Sequence, residues 1–220
     1  MTMLYVVVTA SAIYAAADGK RFPAEDTTQK IFMIGKDAAV MNGGFAFIPG
    51  VGPSGTGWDA REEFSRIASS IPDSEFDEQL GYLRSRIFAS FSRAISSYQG
   101  QLPPDKKLAF FFVKYRQGKA YVVRQEIPFN TDAFGQHVAI LNSAMVLADG
   151  TPGLQHIWWD VPAGCVVPVA ELSFEVSWQS ITALVHHVAE QSQLCSREIG
   201  DPIRAVILDD GGARWMQNDR

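Results

Sequence analysis

A chain of 220 residues, 47% hydrophobic and 20% charged, carries enough apolar side chain to bury one sizeable core as a single domain. Its net charge of −5 and pI near 5.4 argue against a nucleic-acid or anionic-membrane surface as a partner. No apolar run approaches the roughly 18 to 20 residues of a membrane-spanning helix, and no basic region with a cleavage site opens the chain. The two cysteines, Cys165 and Cys195, point to core thiols in a reducing cytoplasm rather than to a disulfide framework or a CxxC metal site.

In chain order, Met3 to Thr9 is apolar and β-branched, and Ala12 to Ala17 is a second apolar run ending at Asp18-Gly19-Lys20. The short break between them predicts a buried hairpin with Thr2 and Asp18 at one end. Gln29 to Ile34 and Ala38 to Met41 predict a second hairpin across Gly35-Lys36-Asp37, which delivers Lys30 and then Asn42-Gly43-Gly44. Four separated points are thus brought together, and their chemistry is specific. Once Met1 is trimmed, Thr2 offers a hydroxyl nucleophile beside an α-amine that titrates at about 7.7 to 8.0, close enough to working pH to act as a base. A neighbouring Lys30 ammonium lowers that value by like-charge repulsion, and Asp18 orients the lysine. Gly43, with no side chain in the way, offers its N–H to a tetrahedral oxyanion, worth roughly 3 kcal/mol in acyl transfer.

From Phe45 the glycines and prolines of Phe-Ala-Phe-Ile-Pro-Gly-Val-Gly-Pro-Ser-Gly-Thr-Gly predict a mobile loop placed to act as a flap. Gly50, Gly52 and Gly55 match GxGxxG by letter alone, because no helix opens there and no Gly-Lys-Ser/Thr follows. Asp59 to Ser69 is a short helix candidate, and Pro72-Asp73-Ser74 precedes a stronger one from about Glu75 to Tyr98, with Leu80, Leu83, Ile87, Phe91 and Ile95 at helical spacing. Its arginines Arg84, Arg86 and Arg93 read as a solvated face. Leu108 to Tyr115 and Ala120 to Glu126 predict a hairpin around Gln117-Gly118, and Phe110-Phe111-Phe112 predicts a strand covered on both faces. Asp132 to Leu147 is read as a helix carrying His137. His156-Ile-Trp-Trp-Asp160 is a short aromatic strand, and His156 and Asp160 without a third ligand are poor evidence for a metal or a triad. Glu171 to Val176 is a strand candidate and a helix follows from about Trp178 to Ser196. The adjacent His186 and His187 point roughly 100° apart and cannot ligate as a pair. Pro202 to Leu208 and Asp209-Asp210-Gly211-Gly212 predict a last hairpin.

Thr2, Asp18, Lys30 and Met41-Asn42-Gly43-Gly44, with Ile199-Gly200-Asp201 and the last hairpin, resemble the proteasome β-type subunits, N-terminal nucleophile hydrolases, and among them the stand-alone bacterial homologues. The resemblance makes Thr2 the catalytic threonine, Asp18 the second-strand aspartate, Lys30 the catalytic lysine and Gly43 part of the glycine turn. It implies an α+β fold, a four-layer αββα sandwich of two antiparallel sheets, from whose pattern the Gly/Pro-rich stretch at about 45–74 departs as an insertion. It further implies rings of six or seven identical subunits, single or paired, acting on peptide or unfolded-protein substrate, with no metal or organic cofactor and with any ATPase partner unspecified. One departure stands out: Ser196 and Ile199 occupy the positions where active subunits place an aspartate and a serine beside the threonine amine. Two alternatives therefore stay open, a catalytically silent ring-forming subunit and a small-molecule amidase or acyltransferase of the same superfamily.

Overall fold

The computed structural model describes residues 3–18, 29–44, 47–51, 57–102, 107–150, 153–159, 164–167, 176–193, 195, 199 and 201–216. Thr2, the loop 19–28, Asp160, Ser196, most of the strand expected at 171–176 and the centre of the 45–57 stretch lie outside these residues.

The first hairpin joins β1 (Leu4–Val8) to β2 (Ala12–Asp18). Thr9 Oγ1 closes its turn by accepting the Ala12 N–H at 3.0 Å. The second joins β3 (Ile31–Ile34) to β4 (Ala38–Gly44) through Gly35, whose φ of 57° suits a residue without a Cβ. A short ladder, β5 (Phe47–Pro49) with β6 (Gly57–Asp59), leads into α1 (Ala60–Ala68), capped by the Asp59 carboxylate on Arg61 N–H. Then come α2 (Phe76–Ser97), β7 (Lys107–Arg116) and β8 (Lys119–Thr131), the last two joined by Gln117 and Gly118, both at positive φ as a two-residue hairpin turn requires. The chain continues through β9 (His137–Ala139), β10 (Met145–Asp149), β11 (Gln155–Trp159), α3 (Trp178–Glu190), β12 (Ile203–Asp209) and β13 (Gly212–Trp215).

Two antiparallel sheets result. One runs β11-β1-β2-β12-β13, and the other runs β10-β8-β7-β4-β3, with β9 added on β8. The alternation of side chains along the strands decides what each face meets. Phe32, Val40, Phe110, Phe112 and Val123 point from the second sheet into a core with Phe64 and Ile67 of α1 and Leu83, Ile87 and Phe91 of α2. Their strand neighbours Ile31, Met41, Phe111 and Val113 point the other way, against Leu4, Val6, Ile13, Ala15 and Val206 of the first sheet. The far face of the first sheet presents Met3, Tyr5, Val7 and Ile203 to Leu184, Val185 and Val188 of α3. The Phe110-Phe111-Phe112 run is thus covered on both faces, as a triple of large apolar residues demands. The fold is α+β with antiparallel sheets. No helix of the described residues is long and apolar enough to cross a membrane.

Three expectations are corrected. The segment expected as a helix over Asp132–Leu147 is extended: β8 runs on to Thr131, and β9 and β10 follow. The Asp132–Gly135 turn, with Asp132 Oδ1 accepting from Phe134 and Gln136 N–H, breaks any helix there. The loop expected from Phe45 lies largely outside the described residues, while the short helix expected after Asp59 is α1. Trp58 packs on Phe91 and donates to Ser90 Oγ at 2.9 Å, because a large indole gains most by burial with its N–H satisfied. Cys165 and Cys195 are not free thiols but form a disulfide tying the 164–167 segment to the chain just after α3. Arg84, expected on a solvated face, instead donates from Nε to Gln125 Oε1 at 2.7 Å and bridges α2 to β8.

Candidate active site

The hairpin register sets the site. Leu4 pairs with Ala17, so Met3 lies opposite Asp18 at the open end of β1 and β2. Met3 N–H donates to Asp18 Oδ1 at 2.7 Å, and Asp18 N–H returns to Met3 O at 3.2 Å. Lys30, just ahead of β3, reaches across from the second sheet and its Nζ lies 3.1 Å from the same Oδ1. Asp18 is 0% and Lys30 7% exposed, so this is a buried ion pair bridging the two sheets. Burying two charges costs several kcal/mol per ion, about as much as their attraction returns, so packing alone gives little reason to keep such a pair.

Lys30 O accepts Asn42 N–H at 2.9 Å, which joins the third predicted point to the fourth. Strand alternation then turns the Gly43 N–H toward Ala109, its register partner on β7. The planar trans peptide between the two glycines sends the Gly44 N–H the opposite way, toward the side where β3 begins at Lys30. Gly43 faces the gap between sheets: a Cβ there would stand 2.3 Å from Trp159 Cζ3 and 3.3 Å from Leu4 Cδ1. Gly44, at φ 72°, would drive a Cβ into Lys107 O. The glycine pair is therefore required by close packing as well as by any chemistry. Asn42 Oδ1, beside it, is a buried acceptor without a hydrogen bond among the described residues, and such a group costs about 1 to 3 kcal/mol.

Trp159 closes the other side of Gly43. Its indole N–H donates to Glu126 Oε1 at 3.2 Å, and Glu126 also meets Lys107 at 2.8 Å and Arg124 at 3.1 Å. Burial pushes the Glu126 carboxyl up, but the Lys107 and Arg124 charges and the indole donor outweigh it and hold it below its ordinary value of 4.5. On β11, His156 Nδ1 and Tyr5 Oη share a 2.7 Å hydrogen bond. Burial lowers the His156 imidazole and raises the Tyr5 hydroxyl, so both are neutral at pH 7 and the bond is a neutral tie between β11 and β1.

Of the four expected site residues, Asp18, Lys30 and Gly43 lie at one end of the two hairpins, and Thr2 lies outside the described residues. Ile199 is buried against α3 and the first sheet, an apolar side chain with nothing to offer an amine. His137 is a satisfied core histidine, sharing hydrogen bonds with Thr131 Oγ1 and Gly100 O. His186 is half-buried beside Asp201 and His187 is exposed, so neither enters the core. Among the described residues no group of three His, Cys, Asp or Glu side chains is placed to hold a metal. The sequence pointed to an aromatic strand at 156–160 but not to Trp159 over Gly43, because only the sheet order, which sets β11 beside β1, brings the two together. Compared with known proteins, the chain matches no family model and no curated sequence.

Proposed function

We propose that this chain is an N-terminal threonine hydrolase of the proteasome-like kind, cleaving amide bonds through Thr2. One observation carries the reading: Met3 N–H and Lys30 Nζ converge on one oxygen of the buried Asp18, and the carbonyl carbon of Thr2 is bonded to that Met3 nitrogen. A buried lysine and aspartate one peptide bond from a threonine are the parts the chemistry needs, at a place where packing gives little reason for them.

In the proposed reaction, removal of Met1 frees the Thr2 amine. The amine takes the hydroxyl proton as Thr2 Oγ attacks the substrate carbonyl carbon, and the oxyanion role expected of the Gly43 N–H, which faces Ala109 within the ladder, passes to the Gly44 N–H at the end of β4. The scissile C–N bond breaks, the leaving nitrogen takes the proton and an ester remains on Thr2. Water, deprotonated by the same amine, then hydrolyses the ester and restores the threonine. Lys30 contributes positive charge beside the amine, and Asp18 positions both Lys30 and the first peptide of β1. The stacking of helix, sheet, sheet and helix supports a four-layer αββα sandwich of the N-terminal nucleophile type. Peptide or unfolded-protein substrate and a homo-oligomeric ring of six or seven subunits belong to the same proposal. So does a cytoplasmic location, against which the Cys165–Cys195 disulfide counts, since such bonds persist mainly in oxidising compartments.

The test is the intact mass of the purified protein before and after an electrophile selective for N-terminal threonine. Loss of Met1 and a single adduct absent in Thr2→Ala supports the proposal; retained Met1 with no adduct ends it. A second reading, a catalytically silent subunit of the same fold, is favoured by Ile199 in the α3 core and by Trp159 packed over Gly43. It gains if Lys30→Ala changes no amidase rate.

A further inference from the structure

At the edge where β13 ends, a groove of about 420 Å³ is lined by Trp178, the first residue of α3, by Arg204 on β12, by Trp215 and Met216, and by Gln29. A volume of this order is in the usual range for a small-molecule pocket. It abuts the buried ion pair without containing it: Ile203 on the groove wall is the ladder partner of Asp18, and Gln29 precedes Lys30.

The groove has an excess of donors. Arg204 is half-buried, yet among the described residues its side chain makes no ion pair or hydrogen bond. The acids at the two ends of its strand are already engaged, Asp201 with His186 and Asp209 with Arg214 at 2.6 Å. Burial of the Asp209 bond is partial, but it is bidentate and Arg214 holds the carboxyl below its ordinary value, so it is not available to Arg204. Neither indole N–H of Trp178 or Trp215 has a hydrogen bond among the described residues, and Gln29 spends its Nε2–H on Ile31 O at 2.9 Å. In a chain of net charge −5, a half-buried guanidinium beside two indoles, with no carboxylate on it among the described residues, is unusual placement for a solvated arginine.

We propose that this groove is a binding site for a small organic anion, a carboxylate carried on a flat apolar group, with the carboxylate on the Arg204 guanidinium and the flat group against Trp178 and Trp215. A planar guanidinium matches a carboxylate bidentately, and indole faces take a flat apolar group with little entropy cost. The site stands whether or not Thr2 reacts.

The experiment is titration of the full chain with 2-naphthoate and with its neutral counterpart 2-naphthamide, by calorimetry and by ligand-detected NMR. Naphthoate should bind saturably and about 10- to 100-fold more tightly than the amide, the range expected of a charge-assisted pair. Arg204→Met should bring the two within about twofold while leaving the amide unchanged, and Trp215→Ala should weaken both. Arg204→Lys, which keeps the charge and loses the fork, should retain an intermediate preference and serves as the second variant if methionine is not tolerated. Thr2→Ala should bind naphthoate as the parent does, which separates this site from the threonine reaction. Equal affinity for acid and amide, an anion preference that survives Arg204→Met, or no saturable binding of either compound overturns the proposal.

Discussion

Lys30→Met is the most informative perturbation, because it separates what the buried pair does for folding from what it does for chemistry. The substitution keeps most of the side-chain volume and removes the ammonium that lies 3.1 Å from Oδ1 of the fully buried Asp18. Breaking a buried pair from one side costs about 3 to 5 kcal/mol, most of it the penalty of an uncompensated buried charge. For a chain of this length that corresponds to a fall in Tm of roughly 6 to 20 °C. Adding Asp18→Asn removes the orphaned charge while keeping an oxygen for the Met3 N–H, so the double variant should recover to within about 1 to 2 kcal/mol of the parent. Urea unfolding of the parent, both single variants and the double variant closes the cycle. Activity should behave oppositely: amide turnover or threonine labelling should fall at least about 100-fold in the single and the double variant alike, since neither retains the lysine. A Lys30→Met protein within about 1 kcal/mol of the parent would refute the burial argument. A double variant that regains both stability and labelling would refute a catalytic role for the lysine.

Other outcomes follow from single contacts. Gly43→Ala should cost about 1 to 3 kcal/mol in urea unfolding and be partly rescued by Trp159→Leu, because the new methyl meets the indole at 2.3 Å; no rescue would mean that the indole is not the obstacle. Lys114, 1% exposed and donating to Asp37 Oδ1, Ser74 O and Gln79 Oε1, ties β7 to the β3–β4 turn and the approach to α2. Lys114→Met should therefore destabilise by about 3 kcal/mol without changing threonine labelling. Reduction of the Cys165–Cys195 bond, or Cys165→Ser with Cys195→Ser, should lower stability by about 3 to 4 kcal/mol on the chain-entropy account of a loop spanning 30 residues, read as a fall in Tm on adding a thiol reductant. The Glu126 carboxyl is held below 4.5 in the folded chain, so its stabilisation is full above that pH and fades as pH falls through the lowered folded value. Glu126→Gln should thus lose stability relative to the parent above about pH 4.5, with the gap closing in more acid solution; a gap independent of pH would show that the charge is not what matters.

The local elements were legible because local physics writes them. Apolar runs bounded by turn residues marked β1 to β4, and helical spacing of Leu80, Leu83, Ile87, Phe91 and Ile95 marked α2 to within a residue or two. The Gln117-Gly118 turn and the three successive phenylalanines marked β7 and β8 as a hairpin buried on both faces. The strand expected at 171–176 lies mostly outside the described residues, and Thr2 entirely so. Where local signals conflicted, the expectation failed. Residues 132–147 have enough apolar side chains to suggest a helix, but β8 offered an open edge whose N–H and C=O groups need partners, and β9 and β10 pair with it. The cysteines were misread for another reason: their separation along the chain carries no information on their distance, which the packing of the 164–167 segment against the end of α3 decides.

By itself, then, the sequence determined the two N-terminal hairpins, the long helix and the closeness in register of Met3 to Asp18, since each depends on residues near one another in the chain. Only the tertiary structure decided that the expected meeting of Lys30 and Asp18 is a buried pair, that Trp159 lies on Gly43 and that Arg204 shares a groove with Trp178 and Trp215. Each of those contacts joins different sheets, or a sheet to a helix, and their cost and gain are set by burial, which no short stretch of sequence specifies.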